Sequence, residues 1–360
     1  MKALLTAGGR ATRLRPISYT VNKHLIPLAN RPMIFNALEK IADAGITEVI
    51  INVNPGEREI QNVVGDGSAF GLRITFLEQS GGPLGLGHII RNARPLLGDE
   101  PFLFYLGDNI ILGSIASFVK RFTDERLDCL LALSRVPDPT RFGVPEYDAS
   151  GALKRIVEKP EMPPSEFAVA GIYVYSPKVF DAVDAIAPSS RGELEISDAH
   201  TWLIEHGARV AKEEITGWWK DTGKPEDLLE GNALLLTERI HGIHAAEATI
   251  DPSARIEGSV QIGRGSRIGP GTVIQGPVAI GDGCVISHAT IGPSVSIGDH
   301  TVITDAEITH SIVFDHATID CQRKIADSII GSRAVITSKG GEASCGNKMI
   351  VGEATYVEVS

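Results

Sequence analysis

The sequence predicts two joined architectures: an α/β domain built on a mostly parallel sheet with helices on both faces, followed by a solenoid of stacked short strands. Three observations predict this. Leucine recurs through Leu236 and then vanishes, for residues 247–360 contain neither leucine nor tryptophan. Within that leucine-free half, Ile250, Ile256, Ile262, Ile268, Ile274, Ile280 and Ile286 fall at a strict period of six. In the first half, apolar strand-like segments alternate with helix-like ones.

The elements follow in order. Lys2-Ala-Leu-Leu-Thr6 is a short apolar strand that stops at Gly8-Gly9. Residues Pro32 to Ala44 read as a helix, with proline in the first turn, Ile34, Leu38 and Ile41 on one face, and Gly45 as the stop. Glu48 to Asn54 is a buried strand. Phe102 to Leu106 is another, followed at once by Gly107-Asp108-Asn109, and Cys129 to Ser134 and Ala170 to Tyr175 continue the series. Such alternation makes a Rossmann-like sheet whose ligand sits at the carboxyl ends of the strands. A helix from Pro225 to Ile240 bridges to the repeat, giving domains 1–240 and 247–360. The isoleucine period fits neither a helix of about 3.6 residues per turn nor a plain alternating strand. It fits short strands with one inward isoleucine each, separated by corners of Gly, Pro and Asp. The register slips between Ile286 and Ile291 and resumes at Ile297 and Ile303.

Composition narrows the function. The chain carries 34 basic and 45 acidic residues, net −11. The acidic excess is spread over both halves, so no basic face emerges for a nucleic acid or an anionic membrane. Four cysteines, Cys129, Cys284, Cys321 and Cys345, form no Cys-x-x-Cys pair, which argues against a disulfide framework or a thiolate zinc site. The opening MKALLTAGGR is broken by glycines too early for a signal peptide, and no apolar run approaches the roughly 18 residues of a membrane span. A cytoplasmic location is expected.

The chemistry concentrates in loops. The first strand runs into Thr6-Ala-Gly8-Gly9-Arg-Ala-Thr12-Arg13-Leu14, where glycines beside arginines suit a backbone wrapped around a polyphosphate. It is neither a Walker loop nor a dinucleotide fingerprint. A lysine follows in Lys23-His-Leu-Ile-Pro27. With Leu106-Gly-Asp-Asn109, Phe142-Gly-Val144, Glu158-Lys-Pro160, Arg191-Gly-Glu-Leu-Glu-Ile-Ser-Asp198 and Trp219-Lys-Asp-Thr-Gly223, these segments resemble the sugar-1-phosphate nucleotidylyltransferases, most closely the glucose-1-phosphate thymidylyltransferases. The match runs from residue 3 to about 225 in the family's order. The appended repeat resembles the left-handed hexapeptide β-helix of the longer members; the hand is implied by that resemblance.

The resemblance implies transfer of a nucleotidyl group from a nucleoside triphosphate, dTTP favoured and UTP possible, to a sugar 1-phosphate, glucose 1-phosphate favoured. The barrier to such a transfer is mostly charge repulsion and geometry, so cations and alignment are what the protein must supply. Arg13 would neutralise the departing pyrophosphate, Lys23 would bridge towards the α-phosphate, and Lys159 would hold the sugar phosphate. Asp108 and Asp221, carboxylates far apart in sequence, would converge on Mg²⁺. By the same resemblance Gly8, Gln79 and Gly85 contact the nucleotide and Gly143, Glu158 and Val169 the sugar, with Gly9, Thr12 and Asn109 as further substrate-binding candidates. Three departures stand out. Ala11 occupies a position usually held by glycine. His24 stands where many thymidylyltransferases have glutamine, or is a solvent-exposed loop histidine. The stretch Gln79-Ser-Gly-Gly-Pro-Leu-Gly85 is one residue longer than usual, which leaves dTTP and UTP both open.

Two rivals remain. Hexapeptide β-helices include acyltransferases that use a histidine base, for which His288, His300, His310 and His316 are candidates. A non-catalytic regulatory subunit would keep the fold, but it should have lost Arg13, Lys23, Asp108, Lys159 or Asp221, and all five are present. Every catalytic motif lies in the first half, so the repeat is expected to serve packing and assembly into a homo-oligomer.

Overall fold

The computed structural model describes residues 1–9, 11–245, 247–338 and 347–359; Cys345 falls outside them. The chain divides into two compact units, Met1–Gly9 with Ile34–Asp221, and Arg10–Met33 with Thr222–Ser360. The composition break between residues 240 and 247 is thus not where the contacts divide. The segment 10–33 and the bridging helix group with the repeat.

In chain order the strands of the first half are β1 (Lys2–Thr6), β2 (Pro27–Leu28), β3 (Arg31–Pro32), β4 (Glu48–Val53), β5 (Arg73–Glu78), β6 (Phe102–Leu106), β7 (Asn109–Ile111), β8 (Cys129–Arg135), β9 (Gly143–Tyr147), β10 (Leu153–Glu158), β11 (Phe167–Tyr175), β12 (Val210–Glu214) and β13 (Trp219–Asp221). The helices are α1 (Ile34–Asp43), α2 (Glu59–Val64), α3 (Leu86–Leu97), α4 (Ala116–Asp124), α5 (Lys178–Ala185), α6 (Ile196–Glu205) and α7 (Pro225–Arg239). Helix α1 begins two residues later than its sequence suggests, because Pro32 is taken up by the β2–β3 hairpin, where it faces Pro27.

The first unit is a seven-stranded sheet in the order β12-β8-β11-β6-β1-β4-β5. It is mixed rather than all parallel: β11 runs antiparallel to both β6 and β8. Leu4 and Leu5, which point to opposite faces, are both fully buried, as are Leu103 and Phe104. Both faces are therefore covered. One face packs Leu4, Phe102, Phe104, Leu131, Tyr173 and Tyr175 against Ile90 of α3, Phe180 of α5 and Leu203 of α6. Each such side chain is worth about 1.5–3 kcal/mol of burial.

In the second unit, three parallel sheets of short strands form the walls of a left-handed β-helix. Ile268, Ile286, Ile303, Ile319 and Ile336 stack in register through one wall, and each is buried. Partners are eighteen residues apart at Ile268↔Ile286, seventeen at Ile286↔Ile303 and sixteen at Ile303↔Ile319. The coils shorten at their corners while the walls stay aligned, which accounts for the slip in the six-residue period. Ile250 departs from the expected buried ladder. It lies in Thr249–Ile250, the terminal strand of its wall among the described residues, and is 38% exposed.

Candidate active site

The carboxyl edge of the sheet gathers most of the expected residues of the first unit. β1 and β6 pair in parallel with Thr6 beside Leu106, so the Gly8-Gly9 turn and Asp108 leave neighbouring strands at the same edge. The Gly107 amide donates to both the carbonyl oxygen and Oγ1 of Thr6, each at 3.1 Å, and joins the two loops at their bases. One strand further, Asn54 follows β4. Its Oδ1 accepts from the Gly9 amide at 3.0 Å, and a Cβ on Gly8 would lie 3.0 Å from the same atom. Gln79 follows β5; it is buried, with Nε2 donating to the Gly82 carbonyl at 2.9 Å.

The two candidate metal ligands are brought together by a short antiparallel ribbon. β13 pairs with β7, Asp221 opposite Asn109, which sets Asp221 beside the residue that follows Asp108. Asn109 is buried and fully engaged. Its Nδ2 donates to Asp108 Oδ1 at 2.9 Å, and its Oδ1 accepts from Trp219 Nε1 at 2.8 Å and from the Gly171 amide at 3.4 Å. Those contacts give Asn109 the work of fixing the Asp108 carboxylate, a role that sequence alone does not separate from a substrate contact.

The candidate sugar side is a second ribbon. Gly143 in β9 faces Glu158 in β10, and the Lys159 amide donates to the Phe142 carbonyl at 2.9 Å. A Cβ on Gly143 would meet Ser197 Oγ at 2.7 Å, so glycine is required for the close approach of α6. Glu158 Oε2 accepts from Ser197 Oγ at 2.6 Å, and its Oε1 lies 3.1 Å from Lys159 Nζ and 3.3 Å from Arg191 Nη2. Arg191 also binds Glu195 at 2.7 Å. Burial, with Glu195 and Glu158 adding to it, pushes the Asp198 carboxyl above its usual range. Val169, buried in β11, pairs with Leu133 at the same edge of the sheet. Gly85 has φ +93, and a Cβ there would lie 2.7 Å from the Leu194 carbonyl oxygen.

Thr12, Arg13 and Lys23 lie in the second unit. Thr12 and Arg13 are exposed on a one-turn 3₁₀ segment entered through Ala11, whose φ of 43° and ψ of 41° are left-handed. The alanine does sit where glycine would be easier, at about 1–2 kcal/mol. Lys23 opens the turn Lys23–Leu25, capped by Asn22, whose side chain accepts from the His24 amide. His24 is buried at 3% exposure and is not the solvent-facing loop histidine. The four repeat histidines occupy left-handed corners, with φ from 41° to 60°, and the rings of His300 and His316 stack at 5.0 Å. They serve as corner residues, His300 and His316 at the same corner of successive coils and His288 and His310 at two other corners.

Sequence reasoning missed Asn54, Ser197 and the part played by Arg191. Asn54 ends a strand at the ligand edge, and the other two stand inside the Arg191–Asp198 stretch, so each carried a positional signal.

The nucleotidyl transferase family model matches residues 2–238, and the chain belongs to that family. A bacterial transferase hexapeptide model, six repeats long, matches residues 259–292. Within the family the chain is a glucose-1-phosphate thymidylyltransferase-like enzyme. It is 44% identical over 296 residues to glucose-1-phosphate thymidylyltransferase of Streptomyces griseus, covering 81% of each chain. Against the same-named protein of Streptomyces antibioticus it is 45% identical over 294 residues, again 81% of each. Among solved structures, a putative glucose-1-phosphate thymidylyltransferase from Bacillus anthracis in complex with a sucrose matches with a TM-score of 0.62 at 34% identity, covering 67% of this chain and 97% of that one.

Proposed function

We propose that the protein transfers a thymidylyl group from dTTP to glucose 1-phosphate, releasing pyrophosphate and dTDP-glucose. The observation that carries this reading is the β7–β13 ribbon, which sets Asp221 opposite Asn109, the residue after Asp108. Two carboxylates there, one held by Asn109, fit a hard cation with oxygen ligands, so Asp108 and Asp221 would hold Mg²⁺. When bound, that ion supplies neutralisation of phosphate charge. The remaining work falls to the chain itself. Arg13 and Lys23 balance the triphosphate charge, and Lys159 holds the sugar phosphate. Glu158, fixed by Ser197 and Arg191, accepts hydrogen bonds from sugar hydroxyls. Gln79 and the following loop face the base. Three free, buried cysteines among the described residues fit a reducing compartment such as the cytoplasm. The bare first coil, with Ile243 52% and Ile250 38% exposed, favours association with further copies.

The test is a pyrophosphate-release assay with five nucleoside triphosphates against several sugar 1-phosphates. Fastest turnover with dTTP and glucose 1-phosphate is expected. Turnover with UTP at equal or greater kcat/KM would replace the base assignment, and no release with any pair would refute the reading.

A further inference from the structure

We propose that the fourth coil of the β-helix positions the Lys23 loop, with Asn232 of α7 as the link. This rests on the functional reading above, in which Lys23 meets the nucleotide. Within the second unit, the β2–β3 hairpin turns through Ala29 and Asn30, both left-handed at φ 49° and 58°. The turn is held on both sides. The Ala29 amide donates to Asn232 Oδ1 at 2.8 Å, and Asn30 Nδ2 donates to the Ile297 carbonyl at 2.7 Å. The same Asn232 oxygen accepts from Ser296 Oγ at 2.6 Å. Asn232 and Ser296 are fully buried. A backbone amide can only donate, so the orientation of the Asn232 carboxamide is fixed, at the expense of leaving its Nδ2 without a hydrogen-bond partner among the described residues. The hairpin is stitched in turn to Lys23, since the Met33 amide donates to Ile26 O and the Ile26 amide to Lys23 O.

The solenoid is shaped for this load. On one wall the outward residues Val285 and Val302 are about 40% exposed, while on another the outward column Ala279, Ser296, Ile312 and Ile329 is buried. Helix α7 packs on that wall at Val295–Ile297 and Ser311–Val313, and also on β2. Among those four buried residues Ser296 is the polar one, and its hydroxyl meets Asn232. The proposal adds a positioning role to the packing and assembly expected of the repeat.

The test uses the full-length chain. Asn30→Gly keeps the left-handed turn and deletes the donor, while Ser296→Ala deletes the hydroxyl. Ser266→Ala removes a comparable buried hydroxyl, one that bonds Gly281 O within the solenoid and makes no loop contact. Without nucleotide, hydrogen exchange over residues 20–33 should quicken about three- to tenfold in Asn30→Gly and Ser296→Ala and stay unchanged in Ser266→Ala. In steady-state assays the same two variants should raise KM for the nucleotide severalfold and leave KM for the sugar phosphate alone. Unchanged exchange in both variants, or equal quickening in Ser266→Ala, overturns the link. Faster exchange with an unaltered nucleotide KM overturns the positioning role. A wild type that turns over no nucleotide refutes the functional reading, and with it the kinetic half of the proposal, while the exchange result still decides whether the coil holds the loop.

Discussion

Gly85→Ala should weaken the first unit, and the structure sets the size of the loss. Gly85 precedes α3 with φ 93° and ψ 172°. A Cβ would come within 2.7 Å of the Leu194 carbonyl oxygen and 2.8 Å of its amide nitrogen. Both atoms are already bonded: the Leu194 amide donates to Leu84 O at 2.8 Å, and its carbonyl accepts from the Gly87 amide at 3.0 Å. An alanine in that backbone region costs about 1–3 kcal/mol, and moving Leu194 aside forfeits one or both bonds at about 1 kcal/mol each. The sum is about 2–5 kcal/mol. Gly82 separates the two contributions, because its φ is +90° but a Cβ there meets nothing within 4 Å. Urea unfolding followed by tryptophan fluorescence reads this unit alone, since Trp202, Trp218 and Trp219 all lie in it. Gly85→Ala should lose at least about 1 kcal/mol more than Gly82→Ala. Equal losses would refute the claim that packing on Leu194 demands glycine.

Asp108→Asn and Asp221→Asn should each cut turnover by orders of magnitude with unchanged unfolding curves, and EDTA should abolish wild-type activity; full activity in either variant would remove the proposed ion site. Arg13→Ala should chiefly impair use of the nucleotide and Lys159→Ala use of the sugar phosphate, a division that identical kinetic defects would contradict. Stability should also fall in acid through His200. That ring is fully buried, with Nε2 2.6 Å from Tyr175 Oη, and burial pushes its pKa down to about 3 from 6.5. The folded value is the lower one, so the unfolded chain binds the extra proton. Stability is complete above pH 6.5 and declines towards pH 3 by up to about 1.4 kcal/mol per pH unit. Urea midpoints at successive pH values should show this limb, and His200→Gln should flatten it.

The elements governed by local pattern were the legible ones. The isoleucine period located the solenoid, strand-like runs located β1, β4, β6 and β8, and Gly8, Gln79 and Asp108 follow strands at the carboxyl edge of the sheet. What escaped depends on partners distant in sequence. Pro32 looks like a helix opener until Pro27 is seen opposite it. His24 looks exposed because its burial comes from tertiary packing. Asn232 sits in the middle of an ordinary helical stretch, and its task depends on Ala29 and Ser296, some two hundred residues before it and sixty-four after. The antiparallel course of β11 leaves no trace in a pattern that records burial and not direction.

The meeting of Asn232 with Ser296 also makes the β-helix a gauge of length. From Ile240 back to Asn232, α7 climbs about 12 Å at roughly 1.5 Å per residue. Along the wall beneath, three parallel steps from Ile243–His244 to Val295–Ile297 span about 14 Å at roughly 4.8 Å each. The two rulers agree to within one coil. Coils beyond the fifth can be gained or lost without moving that coincidence, whereas a single coil inserted before Val295 would carry Ser296 past its partner by about three helical residues. Repeat number is thus fixed at the near end of the solenoid.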